Sequence, residues 1–285
     1  MASTPDAGGP SLQPSLRRVA RWANRARWRR KYLIARDGGG STSTVRRWMF
    51  ILTSAELDTF SYDVSNTADL AAALASLLEV SQEEVLGYIA ELQRNCSLKD
   101  VIARKTRWRP QYRWSPPLGR HVISYCIVRA SRPPTVLELG IRHGLGSLVL
   151  LEALALNRSE GHPGELVSVD CDSTAGALVD EVQWCRTTGF TPDALHQIRL
   201  NSPIGFVISD TTPDAEVIRA EFNFALQHAH ESIVLMQNHE WSTVLKELGQ
   251  QHKQEVTTIE ERALGHVVAG RRVDLLRILR PRDAL

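Results

Sequence analysis

Apolar positions recur at helical spacing between residues 67 and 95. The run "TADLAAALASLLEV" (67–80), with Asn66 or Thr67 as its cap, predicts one helix. A second is predicted over "SQEEVLGYIAELQRN" (81–95), where Val85, Leu86, Ile89 and Leu92 share a face and Ser81 with Glu84 three positions on forms a capping box. Beyond residue 120 the pattern becomes an alternation of short apolar runs with amphipathic stretches. A helix through "RHVISYCIVRA" leads to a strand at "TVLELG", a helix at "SLVLLEALALN" and a strand at "ELVSVD". After a less regular region from 173 to 203 come a strand at "IGFVIS", a helix at "DAEVIRAEFNFALQHA" and a strand at "SIVLM". Nearly continuous apolar strands separated by helices imply a parallel sheet covered on both faces, a doubly wound α/β fold that takes its ligands at the carboxyl ends of its strands.

Punctuation divides the chain. Residues 1–15 are rich in Pro, Gly and Ser and are expected to be disordered, and "RDGGGSTST" (36–44) reads as a joint. "KTRWRPQYRWSPPLG" (105–119) is a connector broken by prolines. The expected layout is therefore a basic arm over 1–45, a helical extension over 46–117 and an α/β domain over 118–285. The net charge of +2 conceals an asymmetry: residues 1–50 hold eleven Arg or Lys against Asp6 and Asp37, or +9, leaving −7 for the remainder. Arginines at 17, 18, 21, 25, 27, 29 and 30 surround most of a helical axis, so the arm has no clean apolar stripe. Contact with nucleic acid or an anionic membrane is one reading of it; a solvated arm, or one docked on the acidic body, is the favoured reading. No apolar run reaches the ~18 residues needed to cross a bilayer. The start of the chain lacks the apolar block of a signal peptide. Cys96, Cys126, Cys171 and Cys185 lack zinc-site spacing, so reduced thiols in the cytoplasm are expected. Oligomeric state carries no signature, and a homo-oligomer stays open.

The candidate chemistry starts at "VLELGIRHGLGS" (136–147). A strand ending in Glu138 runs into Gly140, Gly144 and Gly146, and a helix follows. Glycines let a ligand approach the backbone, and a helix start offers unpaired N–H groups. The dinucleotide fingerprint would need its third glycine at position 149, where Val149 stands, and no Gly-Lys-Ser/Thr follows as a P-loop requires. One βαβ unit later, "ELVSVDCD" ends a strand in Asp170, a carboxylate placed to accept the two hydroxyls of a ribose. Between 173 and 203, Thr188 and Gly189 mark a strand end, and Trp184 is either an adenine platform or core.

With "FVISDTTPDAEVIRAEFNFAL" and "IVLMQNHEW", these segments resemble the class I S-adenosylmethionine-dependent methyltransferases, in particular the bacterial small-molecule O-methyltransferase group that shares its layout with catechol O-methyltransferase. The resemblance covers about residues 118–280. It implies a seven-stranded, mostly parallel Rossmann-like sheet closed by an antiparallel hairpin at "GHVVAGRRVDLLRI" (265–278). It also implies S-adenosylmethionine as cofactor, with Glu138, Gly140, Gly144 and Gly146 around its methionine part and Asp170 on its ribose. The implied reaction is methylation of a small-molecule hydroxyl.

Metal-dependent members of that group hold Mg²⁺ with an aspartate after strand 4 and an Asp-Asn pair after strand 5. Here Asp210 matches the first, but Gln237 and Asn238 stand at the pair, so one negative charge is missing. Asp210 is followed by Thr211, Thr212 and Pro213, which read as a helix start, with Thr212 as cap and Pro213 at the first helical position. Three arrangements are compatible with these residues. A metal-independent enzyme would use His239, Glu240 or His143 as the base. A weak metal could sit on Asp210, Gln237 and Asn238. A noncatalytic relative would bind a partner or an anionic surface through the basic arm. His228 and His230, late in a helix, are expected to face the helix dipole or solvent and not to hold a metal.

Overall fold

The computed structural model describes residues 64–106, 118, 121–180, 184–212, 214–229, 231–238, 243–262 and 272–279. The basic arm, most of the proline-broken connector, and Pro213, His230, His239 and Glu240 lie outside them.

The described chain begins with three helices, α1 (Thr67–Leu78), α2 (Gln82–Arg94) and α3 (Cys96–Thr106). Helix α2 starts as its sequence requires, with the Glu84 N–H donating to Ser81 Oγ at 3.1 Å. The box is only half made, since the Glu84 carboxylate accepts from the Tyr88 hydroxyl instead. Asn66 precedes α1 without capping it through its side chain. That amide is used at long range, donating to the Glu260 carbonyl at 2.8 Å and accepting from the Arg262 N–H at 2.9 Å.

Next come α4 (Val122–Ser131), β1 (Thr135–Leu139), α5 (Leu145–Ser159), β2 (Glu165–Asp170), β3 (Cys185–Thr188) and a 3-10 turn at Asp193–Gln197. The chain continues through β4 (Ile204–Ser209), α6 (Ala215–Gln227), β5 (Ser232–Gln237), α7 (Val244–His252), β6 (Thr257–Glu260) and β7 (Arg272–Leu279). The strands form one seven-stranded sheet in the order β3-β2-β1-β4-β5-β7-β6. β1 to β5 are parallel, and β7 runs antiparallel to both β5 and β6. The mostly parallel Rossmann-like sheet with a helical extension is thus observed. The terminal hairpin pairs β6 (Thr257–Glu260) with β7, which matches the second half of the expected 265–278 segment; its first half, 265–271, lies outside the described residues. The cap of α6 also differs. Asp214, not Thr212, accepts the Glu216 N–H at 2.9 Å, and the helix begins at Ala215.

Alternation along the strands sorts the core into two layers. Val136, Leu166, Phe206, Ile208, Val234 and Met236 join α4, α5 and the extension helices in one buried cluster. Leu137, Leu139, Val167, Val169, Val207, Ile233 and Leu235 pack with α6 and α7 in the other. This is the period of two that a sheet covered on both faces demands.

Two features depart from a regular doubly wound chain. Among the described residues no helix joins β2 to β3; residues 171–180 run through turns. Helix α3 reaches that connection, with Lys105 Nζ donating to the Leu178 carbonyl at 2.6 Å and to Asp180 at 3.0 Å. Trp184, before β3, packs against the core on the α4–α5 side. The second feature is Arg129 of α4, only 3 % exposed. Its guanidinium bonds both oxygens of Glu91 from α2 (2.8 and 3.1 Å) and both oxygens of Glu160 after α5 (2.6 and 3.1 Å). It also bonds Asn157. The Tyr125 hydroxyl adds a bond to Glu91 at 2.6 Å. A planar fork that serves two carboxylates is work a lysine cannot do.

Removing that fork leaves two carboxylates facing a half-buried hole. Arg129→Ala is expected to lower unfolding free energy by about 3 kcal/mol, at the low end for a broken buried pair because both partners are partly solvated. Arg129→Lys should recover less than half of it, as urea denaturation would show.

Candidate functional site

The site sits where β1 and β4 lie side by side and their connections leave on opposite faces, the switch point of the sheet. Glu138, the penultimate residue of β1, faces α5 and is 5 % exposed. Its Oε2 accepts the hydroxyls of Ser147 at 2.6 Å and Ser168 at 2.9 Å. Burial pushes its carboxyl from the usual 4.5 up to about 7; the two hydroxyls oppose the rise, and the charges of Asp210 and Asp170 add to it.

After Glu138 the backbone turns at Gly140, whose φ is +89°. The Gly140 N–H donates to the Val169 carbonyl at 2.9 Å, and the Asp210 N–H donates to the Leu139 carbonyl at 2.8 Å. A side-chain carbon at Gly140 would lie 2.7 Å from the Asp210 carbonyl carbon, so the loop and the β4 exit touch backbone to backbone. Gly144 caps α5 with φ +84° and offers no side chain to its first turn. The first helical bond there runs from Leu148 N–H to the Gly144 carbonyl. The N–H groups of Leu145, Gly146 and Ser147 therefore precede the helical ladder. Gly146 leaves room between two other side chains: a carbon added there would be 3.0 Å from Glu138 Oε1 and 3.7 Å from the His121 ring.

These groups line one cavity. Of the candidates read from sequence, Glu138, Gly140, His143, Gly146, Asp210 and Asn238 contribute to its wall. The enclosed part is about 70 Å³ and opens to solvent, which suits the end of a ligand more than a whole nucleoside. Gly144 stands behind the wall as the cap of α5. Gln237 is 1 % exposed within β5 and is not part of the lining. His239 falls outside the described residues. His228 ends α6, with its Nδ1 2.8 Å from the Phe224 carbonyl and its ring against Phe224, a structural role.

Asp170 occupies the end of β2, and its carboxylate does work that the sequence did not announce. Oδ2 accepts the N–H groups of Ile141 at 2.7 Å and Arg142 at 2.9 Å, and Oδ1 accepts the Asp172 N–H at 2.9 Å. It buckles the glycine loop onto β2. From the far side, the Gly176 N–H bonds the Arg142 carbonyl at 2.6 Å and the Leu178 N–H bonds the His143 carbonyl at 3.0 Å. A carboxylate offers about four acceptor positions, and three are in use here.

Sequence reasoning missed His121, Ser124, Met236, Glu261 and Val273, which complete the cavity wall. His121 starts α4 and Glu261 follows β6, so no local motif marks either. A signal existed only in topology, because an element leading into β1 passes beside the start of α5. The metal candidates do not assemble into a site. One carboxylate and one amide reach the cavity, and among the described residues no group of three or more His, Cys, Asp and Glu is placed to hold a metal ion. That donor set does not suit a hard divalent cation, which takes charged oxygens.

Residues 137–238 match the model of a methyltransferase domain family. No curated protein matches the chain. Among solved structures, an O-methyltransferase from Bacillus cereus in complex with S-adenosylhomocysteine is similar at 15 % identity and a TM-score of 0.48, over 69 % of this chain and 100 % of that one. An O-methyltransferase from Streptomyces achromogenes involved in tomaymycin synthesis, in complex with S-adenosylmethionine, is similar at 16 % identity and a TM-score of 0.47, over 75 % of this chain and 96 % of that one. A methyltransferase from Geobacter sulfurreducens has 16 % identity and a TM-score of 0.43, over 64 % and 90 %. Over residues 137–238, then, the chain is similar to a methyltransferase domain.

Glu138 makes stability depend on pH in a direction opposite to that of most carboxylates. Its folded value of about 7 lies above its ordinary 4.5, so the unfolded chain binds fewer protons between those values. Stability falls as pH rises through that window, by an amount on the order of 3 kcal/mol. Glu138→Gln should match the wild type near pH 4.5 and exceed it in urea denaturation at pH 8; an equal difference at both pH values would rule this out.

Proposed function

We propose that this protein transfers a methyl group from S-adenosylmethionine to a hydroxyl of a small molecule. The observation that carries the reading is the single cavity at the switch point. It combines a buried carboxylate (Glu138), a glycine turn with no room for a side chain (Gly140) and the open start of a 15-residue helix. An ammonium and a carboxylate, the two ends of an amino acid, are what such a pocket complements. In this reading Glu138 takes the ammonium and the N–H groups at the start of α5 take the carboxylate. Asp170, at the end of β2, takes a ribose hydroxyl while keeping the loop closed.

The cofactor supplies an activated methyl on a sulfonium, so the protein needs to align an acceptor and remove its proton. Asp210 at the exit of β4 and His143 on the loop line the cavity and are able to accept that proton. His239 is a third candidate by its place after β5. The reaction is written without a metal, because the donors at Asp210, Gln237 and Asn238 do not fit one. The reading places the enzyme in the cytoplasm, where Cys96, Cys126, Cys171 and Cys185, all free thiols, stay reduced. No helix among the described residues is long and apolar enough to cross a membrane.

Calorimetry with S-adenosylmethionine and S-adenosylhomocysteine tests this directly; no heat from either at millimolar concentration would end the proposal. An ammonium beside Glu138 favours its ionised form, so binding at pH 6 should release close to one proton and binding at pH 8 none. Parallel titrations in two buffers of different ionisation enthalpy measure that number. Asp170→Ala should weaken S-adenosylhomocysteine binding by about tenfold or more and also cost about 1–3 kcal/mol of stability, since three backbone N–H groups lose their acceptor.

A further inference from the structure

A second buried carboxylate lies just outside the cavity, and nothing in the reaction above uses it. Glu221, in the middle of α6, is 0 % exposed. Its neighbours on the buried face of α6 are Ile218, Phe222 and Ala225, all without solvent contact. In that apolar layer its two oxygens collect three hydroxyls. Oε2 accepts from Ser209 at 2.7 Å, and Oε1 accepts from Thr211 at 2.8 Å and from Thr191 at 2.5 Å.

The places of those hydroxyls give the arrangement its meaning. Ser209 ends β4 and Thr211 follows Asp210, so the residue that lines the cavity is gripped on both sides. The Ser209 carbonyl also accepts the Asn238 N–H at 3.3 Å, which joins the β5 exit to the same node. Thr191 comes from the other rim, just after β3, where the Gly189 N–H bonds the Asp170 carbonyl at 2.9 Å. One side chain thus spans the rim that carries Asp210 and the rim that adjoins Asp170. A carboxylate is the group suited to this, because it only accepts and can take three O–H donors at once. A carboxamide would present its own N–H₂ to one hydroxyl and force it to turn. Stability alone would be served as well by apolar residues in place of the acid and its hydroxyl partners together, since burying an acid is costly even when it is hydrogen-bonded.

We propose that Glu221 is a positioning residue for the cofactor cleft, setting the spacing between the β4 exit at Asp210 and the β3 exit beside Asp170. It acts through Asp210, which stands in the wall of the same cavity as Glu138 and Gly140 and so borders the cofactor there, and it touches no ligand. The proposal rests on the methyltransferase reading of the same cleft.

The test is a double-mutant cycle in affinity for S-adenosylhomocysteine, with wild type, Glu221→Gln, Asp210→Ala and the pair, alongside thermal melts of each. Wild-type protein that does not bind removes the methyltransferase reading and this proposal with it. If wild type binds, Glu221→Gln should weaken binding about tenfold while melting cooperatively, the loss expected when hydrogen bonds to a charged acceptor are rearranged. On the Asp210→Ala background the same substitution should weaken binding less than about twofold, because coupled residues are not additive. Full multiplication of the two effects, or a lowered melting temperature with unchanged affinity, overturns the positioning role while leaving the function intact. Should Glu221→Gln fail to fold, Thr191→Val and Thr211→Val each remove one donor; each is expected to weaken binding severalfold, and unchanged affinity in both overturns the proposal.

Discussion

The contact on which the site depends is between two stretches of backbone. At the carboxyl ends of β1 and β4 the chain at Gly140 meets the chain at Asp210 with no space for a side chain between them. Everything that follows is a consequence of that closeness. The loop after Gly140 has to turn toward α5, which brings the helix start under the β1 exit and leaves Glu138 buried beneath it. The β4 exit has to stay pressed against the loop, and its hydroxyl-bearing residues on either side of Asp210 are held by Glu221. Asp170 secures the loop from the β2 side through two of its amides.

Two buried acids, Glu138 and Glu221, are each satisfied by hydroxyls and not by a basic partner. The choice has a physical effect. An arginine beside Glu138 would hold it ionised and would repel an incoming ammonium; serines stabilise the carboxylate only in part, so its charge remains responsive to what enters the cavity. Arg129, by contrast, has its charge fully answered by Glu91 and Glu160, which fits a junction between helices and not a binding surface.

The sheet was legible because its strands are nearly continuous apolar runs and its helices amphipathic, so each period identifies its element without tertiary help. Glu138, Gly140 and Asp210 could be singled out as cavity-lining positions because they stand at or just past strand ends, and Gly146 because it lies in the first turn of the helix that follows. Helix α3 and helix α7 escaped notice: "CSLKDVIARKT" and "VLKELGQQH" are short and carry few apolar residues. The strand at Thr257–Glu260 went unread because "TTIE" has a single buried residue, Ile259, and offers almost no alternation to read. Asp214 displaced Thr212 as the cap of α6 by being the residue next to the first helical turn. Asp170's grip on the loop, and the entry of His121 and Glu261 into the cavity wall, come from tertiary placement and leave no mark in local spacing.

The way α1 is fastened bears on how the chain reaches this structure during synthesis. Asn66 at its start bonds the Glu260 carbonyl, 194 residues away, and at its far end the Leu77 carbonyl accepts Arg277, 200 residues away. The segments that hold it are made roughly 200 residues after it. At ~5–20 residues per second, α1 and its apolar face wait on the order of ten seconds or more for partners that do not yet exist.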